Sequence, residues 1–219
     1  MTVVRHPPGR GGRVWLQRRL LAARRGADLL DSKLRILRHE EQRFVVLAER
    51  TRTEWEAACL EAEHWLLLAA VVGGQRGVRP DAGTLAAEVQ VAWASVMGVR
   101  YPSRATVRLP DDPPASSVTA TAAVPLARAA YRRALEAAVA HAAADGAARV
   151  VAAEVLTTRG RLRAIEDRWI PRLQEALAGL EATLLEAESE DNARLRWVAR
   201  SRRRPSHGPA ADTEVEAIT

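Results

Sequence analysis

A chain of 219 residues with one cysteine and only 4% aromatic residues cannot rest on a disulfide framework or a large aromatic core. Its apolar content, 47%, is dominated by alanine and leucine, a bias that suits long helices better than sheets. The formal charge is +6, and Lys33 is the only lysine among the basic residues.

Residues 1–12 contain Pro7, Pro8 and three glycines and read as a flexible tail; no apolar signal core is visible there. Residues 13–72 read as one helix. Steps of four and three residues pass through Leu16, Leu20, Ala23, Ala27, Leu30, Leu34, Leu37, Glu41, Phe44, Ala48, Thr51, Trp55, Ala58, Ala62, Trp65, Ala69 and Val72. Only Glu41 and Thr51 break this stripe. Apolar residues repeating about every 3.5 residues predict a coiled-coil seam. Gly73 and Gly74 end the helix. The longest uninterrupted apolar run, residues 65–72, is too short for a bilayer span.

Residues 73–123 differ in kind. Val89, Val91 and Trp93 alternate with Gln90, Ala92 and Ala94, which predicts a strand over 88–97. Residues 105–109 make a second candidate strand, with Gly98 and Pro102 as punctuation, so a small β-hairpin lobe is expected. Residues 110–114, with three prolines and two aspartates, read as a loop.

Residues 124–204 read as a second coiled-coil helix, with Thr121 as a candidate cap and Pro205 as its stop. Its stripe runs through Ala127, Ala130, Ala134, Ala137, His141, Ala144, Ala148, Val151, Val155, Thr158, Leu162, Ile165 and Trp169. The phase then slips and resumes at Leu173, Leu177, Leu180, Leu184 and Ala187, a stutter. Pro171 should kink the helix, and Gly146 and Gly160 are weak points. Residues 205–219 read as a disordered tail. The expected fold is mainly α: a long antiparallel two-helix coiled coil with a small middle β-hairpin. At 1.5 Å per residue the helices would be about 90 Å and about 120 Å long, so about 30 Å of the second must overhang or bend.

No catalytic constellation is present. The glycine-rich stretches lack the strand and the Lys-Ser/Thr pair of a phosphate loop, and the five histidines lack metal-ligand spacing. Neither a metal nor a cofactor is expected. The arginines are more informative. No acidic residue precedes Asp28, and none lies between Asp191 and Asp212. In an antiparallel hairpin both basic ends meet at one tip, suited to an acidic partner. Charge and position single out Arg18, Arg19, Arg24, Arg25, Arg196 and Arg200 for that contact. Composition and periodicity alone leave open a general coiled-coil scaffold, a homodimer, or a basic rod on nucleic acid.

Residues 20–37, LLAARRGADLLDSKLRIL, resemble the N-terminal helix signature of the D subunit of V-type (vacuolar/archaeal-type) ATPases. The matching positions are Ala22, Arg25, Gly26, Leu29, Leu30 and Lys33. Residues 161–173, RLRAIEDRWIPRL, resemble that family's C-terminal signature through Arg161, Ala164, Ile165, Glu166, Ile170, Pro171, Arg172 and Leu173. Residues 97–102, MGVRYP, resemble a segment of its middle lobe. Asp31, Leu34, Arg35 and Arg163 depart from the family's usual residues.

The resemblance implies the non-catalytic central shaft of a rotary ATPase or ATP synthase. Its joined termini would enter the hexamer of A and B subunits. The small F subunit would bind alongside, and the cup-shaped C subunit would link it to the membrane ring that moves protons or sodium. The hairpin lobe would modulate ATP hydrolysis. The shaft would bind neither nucleotide nor nucleic acid and would not insert in the membrane. Its expected place is cytoplasmic, peripheral to the membrane.

Overall fold

The computed structural model describes residues 4–77, 86–109 and 122–203. The loop at 110–114, Thr121, Pro205 and the tail at 205–219 lie outside the described residues, as do the first residues of the tail at 1–12. In chain order the elements are helix α1 (Gly9–Gly77), strands β1 (Glu88–Val96) and β2 (Val99–Arg108), helix α2 (Ala123–Ala164), a π-helical turn (Ile165–Trp169) and helix α3 (Ile170–Arg203). The described fold is therefore mainly α with one small antiparallel hairpin, as the two periodicities predict. It divides into two compact units, one formed by Gly26–Ile165 and the other by the flanking segments 1–25 and 166–219.

In the unit Gly26–Ile165, α1 and α2 run antiparallel. Lys33 meets Glu154, Thr51 meets His141 and Glu61 meets Arg133, so partner numbers fall as α1 rises. The seam follows the apolar stripe. Leu34, Leu37 and Phe44 pack with Val151, Val155 and Leu162, and farther along Ala62 packs with Ala130 and Ala134. Every stripe position on α1 from Leu16 to Ala69 is buried or half-buried, whereas Val72 is exposed. Gly74 then leaves helical geometry at φ 65°, a conformation that glycine adopts without steric penalty.

Two polar breaks in the stripes, Thr51 and His141, face each other. The Thr51 hydroxyl donates to the Leu47 carbonyl at 2.9 Å, which leaves its oxygen to accept from His141 Nδ1 at 3.3 Å. The His141 ring stacks on Trp55 with 5.5 Å between centroids. Thr158, fully buried, bonds the Glu154 carboxylate at 3.3 Å. Thr51, His141 and Thr158 thus each have a partner within the seam, as burial demands.

The β strands pair antiparallel around a two-residue turn in which Met97 (φ 49°) and Gly98 (φ 82°) both take positive φ, the hairpin geometry that matches strand twist. β2 is longer than the sequence predicts, starting at Val99 rather than at residue 105, and it includes Pro102. The register shifts between Ala92 and Trp93, leaving Ser103 as the extra residue on β2, where its hydroxyl donates to the Ala92 carbonyl at 3.2 Å. A bulge is where a strand tolerates a proline, because the ladder is already interrupted there. β2 lies on α2. Tyr101 is buried with its ring 4.8 Å from that of Phe44.

Hairpin packing explains burial that the stripe does not predict. Ala143 and Ala147 lie off the seam yet are buried beside Ala144 and Ala148. A methyl group on Gly146 would come within 3.3 Å of Pro102 Cγ, so this glycine lets the strand approach the helix. Gly26 is different: a methyl group there meets nothing within 4 Å. Gly26→Ala should therefore raise stability by about 0.5–1 kcal/mol, read as a higher midpoint in thermal unfolding followed by circular dichroism.

In the other unit, α1 and α3 are again antiparallel, with Leu16, Leu173 and Leu180 at the centre and Leu20, Ala23, Leu177 and Leu184 around them. The stripe slip before Leu173 coincides with the π-helical turn. Three successive steps of four residues, from Ile165 to Leu177, put a four where the alternation would place a three and so add one residue to the repeat, and a widened turn absorbs one residue without ending the helix. The same turn lies directly ahead of Pro171. Proline lacks the N–H that would bond the carbonyl four residues back, and its ring clashes with that carbonyl in a regular helix; a widened turn relieves both.

By length and composition, one stretch of α1 is apolar enough to cross a membrane, beyond what its longest uninterrupted run suggests. In the structure, the distal part of α1 is half of a helix pair: Ala62 packs on α2, and Glu61 accepts from Arg133 at 2.7 Å.

Candidate interaction surfaces

Among the described residues, no group of three or more His, Cys, Asp or Glu could hold a metal ion. The functional candidates are surfaces.

In the unit of the flanking segments, the singled-out arginines take two settings. The Arg19 guanidinium lies 5.0 Å from the Trp15 ring centroid and 5.7 Å from that of Trp169. A cation held between two rings braces α1 against the π-helical turn. Arg18, Arg24 and Arg25 are exposed on α1. Arg196 and Arg200 are exposed near the end of α3, where Arg196 Nε donates to the Asn192 carbonyl at 3.2 Å.

The two basic clusters do not share one level. Arg10, one residue into α1, pairs with Glu188 at 3.0 Å. From Glu188 to Arg203, α3 rises a further 22 Å or so at about 1.5 Å per residue. Arg196 and Arg200 lie on this overhang, while Arg18, Arg24 and Arg25 lie along the paired region. The overhang also presents Leu195, Val198 and Trp197, the last 70% exposed. The sequence shows Trp197 as an aromatic among these arginines, while Leu195 and Val198 escape a reading by charge. Their spacing carried the signal: Leu195 and Val198 share a helical face interleaved with arginines.

In the unit Gly26–Ile165, the signature residues separate by burial. Leu30 and Ile165 pack at the edge of the core, while Leu29 is 72% exposed. Arg161 and Ala164 are exposed. Of the signature positions in the other unit, Leu173 is fully buried, Ile170 and Pro171 are half-buried, and Ala22, Arg25, Glu166 and Arg172 are exposed.

Lys33 donates across the seam to Glu154 at 2.7 Å, and both side chains are part-buried. This hydrogen bond above all holds the Glu154 carboxyl below the usual carboxylate range. Partial burial opposes the effect, while the Lys33 charge, the Thr158 hydroxyl and the charge of Arg161 support it. A charged pair bridging a largely apolar seam is a device for setting helix register.

Between β2 and the helix pair lies a half-open cleft of about 430 Å³. Phe44, Leu47 and Ala140 form its apolar wall, while Thr51, Arg104 and Glu136 give it polar edges.

Comparison with known proteins places this arrangement. The ATP synthase D-subunit family matches residues 14–200. The V-type ATP synthase D subunit of Thermotoga neapolitana is 28% identical over 191 residues, covering 86% of this chain and 94% of the relative. The V-type ATP synthase D subunit of Thermus thermophilus, the same in two strains, is 31% identical over 192 residues, covering 84% of this chain and 83% of the relative. With the match extending from α1 almost to the end of α3, the chain belongs to the ATP synthase D-subunit family.

Proposed function

We propose that this chain is the central-stalk subunit of a V-type ATP synthase or ATPase, carrying torque between the catalytic hexamer and the membrane ring that moves protons or sodium. The observation that carries this reading is the seam. From Leu16 to Ala69, every stripe position of α1 is buried or half-buried, and the polar break at Thr51 is matched by His141. Closely packed interdigitating side chains resist both bending and relative sliding, which an axle requires.

The chain itself catalyses nothing and binds no nucleotide in this reading. Its partners are the A and B subunits at the hexamer, the F subunit alongside and the C subunit at the rotor cup. It acts at the cytoplasmic face, peripheral to the membrane. Arg18, Arg24, Arg25, Arg196 and Arg200 face the hexamer electrostatically. Exposed, screened contacts suit a turning surface, because a tightly desolvated lock would stall it. Arg19 contributes through its brace between Trp15 and Trp169.

The experiment is affinity purification of the tagged chain from native extract containing membranes. The A, B and F subunits should co-purify with ATPase activity. Recovery of the chain alone, or with nucleic acid that high salt removes, would return the scaffold and nucleic-acid readings. Reversing Arg18, Arg24 and Arg25 together to glutamate should lower the co-purifying hexamer by about tenfold or more at low salt. Unchanged recovery and activity would remove these arginines from the contact.

A further inference from the structure

Among the described residues, β1 is an edge strand without the usual protection. Its inner edge pairs with β2 along its whole length, and β2 is the strand that packs on α2. The sheet has two strands, so among the described residues nothing pairs with the outer edge of β1. Proteins normally blunt such edges with charge, proline, a bulge or short length. β1 is nine residues long, lacks proline, and has one charged residue, Glu88, at its extreme end. The extra residue of the bulge, Ser103, belongs to β2 and leaves β1 regular.

The side chains on this strand add to the case. Val89, Val91 and Trp93 alternate onto one face and are 50%, 43% and 53% exposed. Arg100 lies 4.9 Å from the Trp93 ring centroid and covers part of it. The charge of the hairpin then selects the occupant. Arg100, Arg104 and Arg108 stand against Glu88 alone, which is opposite Arg108 in the register. A second copy of the hairpin would bring the same positive excess. An acidic strand would bring its complement, and it would lie about 10 Å from β2, within reach of arginine side chains.

We propose that the outer edge of β1 captures an extended acidic segment of a partner protein, with apolar and acidic residues in alternation, as the third strand of the sheet. Main-chain hydrogen bonds to β1 supply the affinity. Apolar residues of the incoming strand cover Val89, Val91 and Trp93, and its carboxylates, on the opposite face, meet Arg104 and Arg108 of β2. The inference does not depend on the torque-carrying role.

The test titrates the full chain into a fluorescein-labelled synthetic peptide in which glutamate and valine alternate over about eight residues. Fluorescence anisotropy should show saturable one-to-one binding that weakens as salt rises from about 0.05 M to about 0.5 M. Methylating alternate backbone nitrogens of the peptide should weaken binding by about tenfold or more, because several hydrogen bonds are withdrawn together. Val91→Lys, with unchanged helix content by circular dichroism, should also weaken it. Absence of binding up to about 1 mM overturns the proposal. So does equal binding of the methylated peptide, or of a lysine-valine peptide. Concentration-dependent dimerisation of the chain that Val91→Lys abolishes would make a second copy the occupant, which also overturns it.

Discussion

Leu37→Ala should destabilise the fold by about 2–5 kcal/mol, while Leu29→Ala, two turns earlier on the same helix, should change stability by less than about 0.5 kcal/mol. Leu37 is fully buried between Leu34, Phe44 and the α2 residues Val151 and Val155. Its truncation removes methyl groups from a packed seam and leaves a cavity that neighbouring helices cannot close without moving along their length. Leu29 is 72% exposed and stands on a different face of α1. Urea unfolding followed by circular dichroism checks both. Equal midpoints for the two variants would mean that the seam at Leu37 does not carry the burial described. The contrast also separates packing from recognition: Leu29 is a family-signature position without a packing role, so a binding defect in Leu29→Ala with normal stability would mark it as a partner contact.

Lys33→Met should cost about 1.5–3 kcal/mol, because it leaves the Glu154 carboxylate part-buried without its principal donor. Glu154→Leu added to Lys33→Met should recover much of that loss, since no uncompensated part-buried charge then remains at that level. Acid should reproduce the effect in the unaltered protein. Glu154 has its carboxyl lowered in the folded state, so its contribution is fully present above the ordinary glutamate range, about pH 4.3, and is lost as pH falls through the lower folded value. Glu154→Gln should flatten stability over that acidic window and leave the dependence at neutral pH unchanged. Unfolding free energies measured across the acid limb give the answer; parallel curves for the two proteins would rule out this pair as a pH-linked contact. Loss of register is a separate readout. Cysteine pairs placed across the seam would cross-link at shifted positions in Lys33→Met if the ion pair sets the alignment.

Much of the fold was legible because coiled coils write their contacts into local spacing. A seam residue meets its partner at a fixed rotation of its own helix, so Leu34, Leu37, Ala62, Val151 and Leu173 could be identified before any neighbour was known. Even the polar interruptions were visible as interruptions. That Thr51 and His141 interrupt at the same level, and that Glu154 reaches Lys33 beside Thr158, depends on the alignment of residues about 90 to 121 positions apart, which local periodicity does not encode. The hairpin was less legible. Gly98 and Pro102 read as breaks, and only pairing with β1 shows that Pro102 and Ser103 form a tolerated bulge within β2.

The candidate surfaces divide in the same way. The arginines were visible as charge, but charge alone did not distinguish Arg19, whose guanidinium lies near the Trp15 and Trp169 rings, from Arg18, although both are exposed. Nor did it show that Arg196 and Arg200 lie on an overhang beyond the level of the N-terminal cluster. By itself, the sequence determined the long helices, the seam, the phase slip and the family signatures, since all of these are properties of residues close together along the chain. Tertiary structure alone decided which polar groups meet, which arginines lie against rings, how β2 buries Ala143 and Ala147, and that among the described residues nothing pairs with the outer edge of β1. Those depend on how distant segments come side by side, and short-range spacing carries no information about distances across the fold.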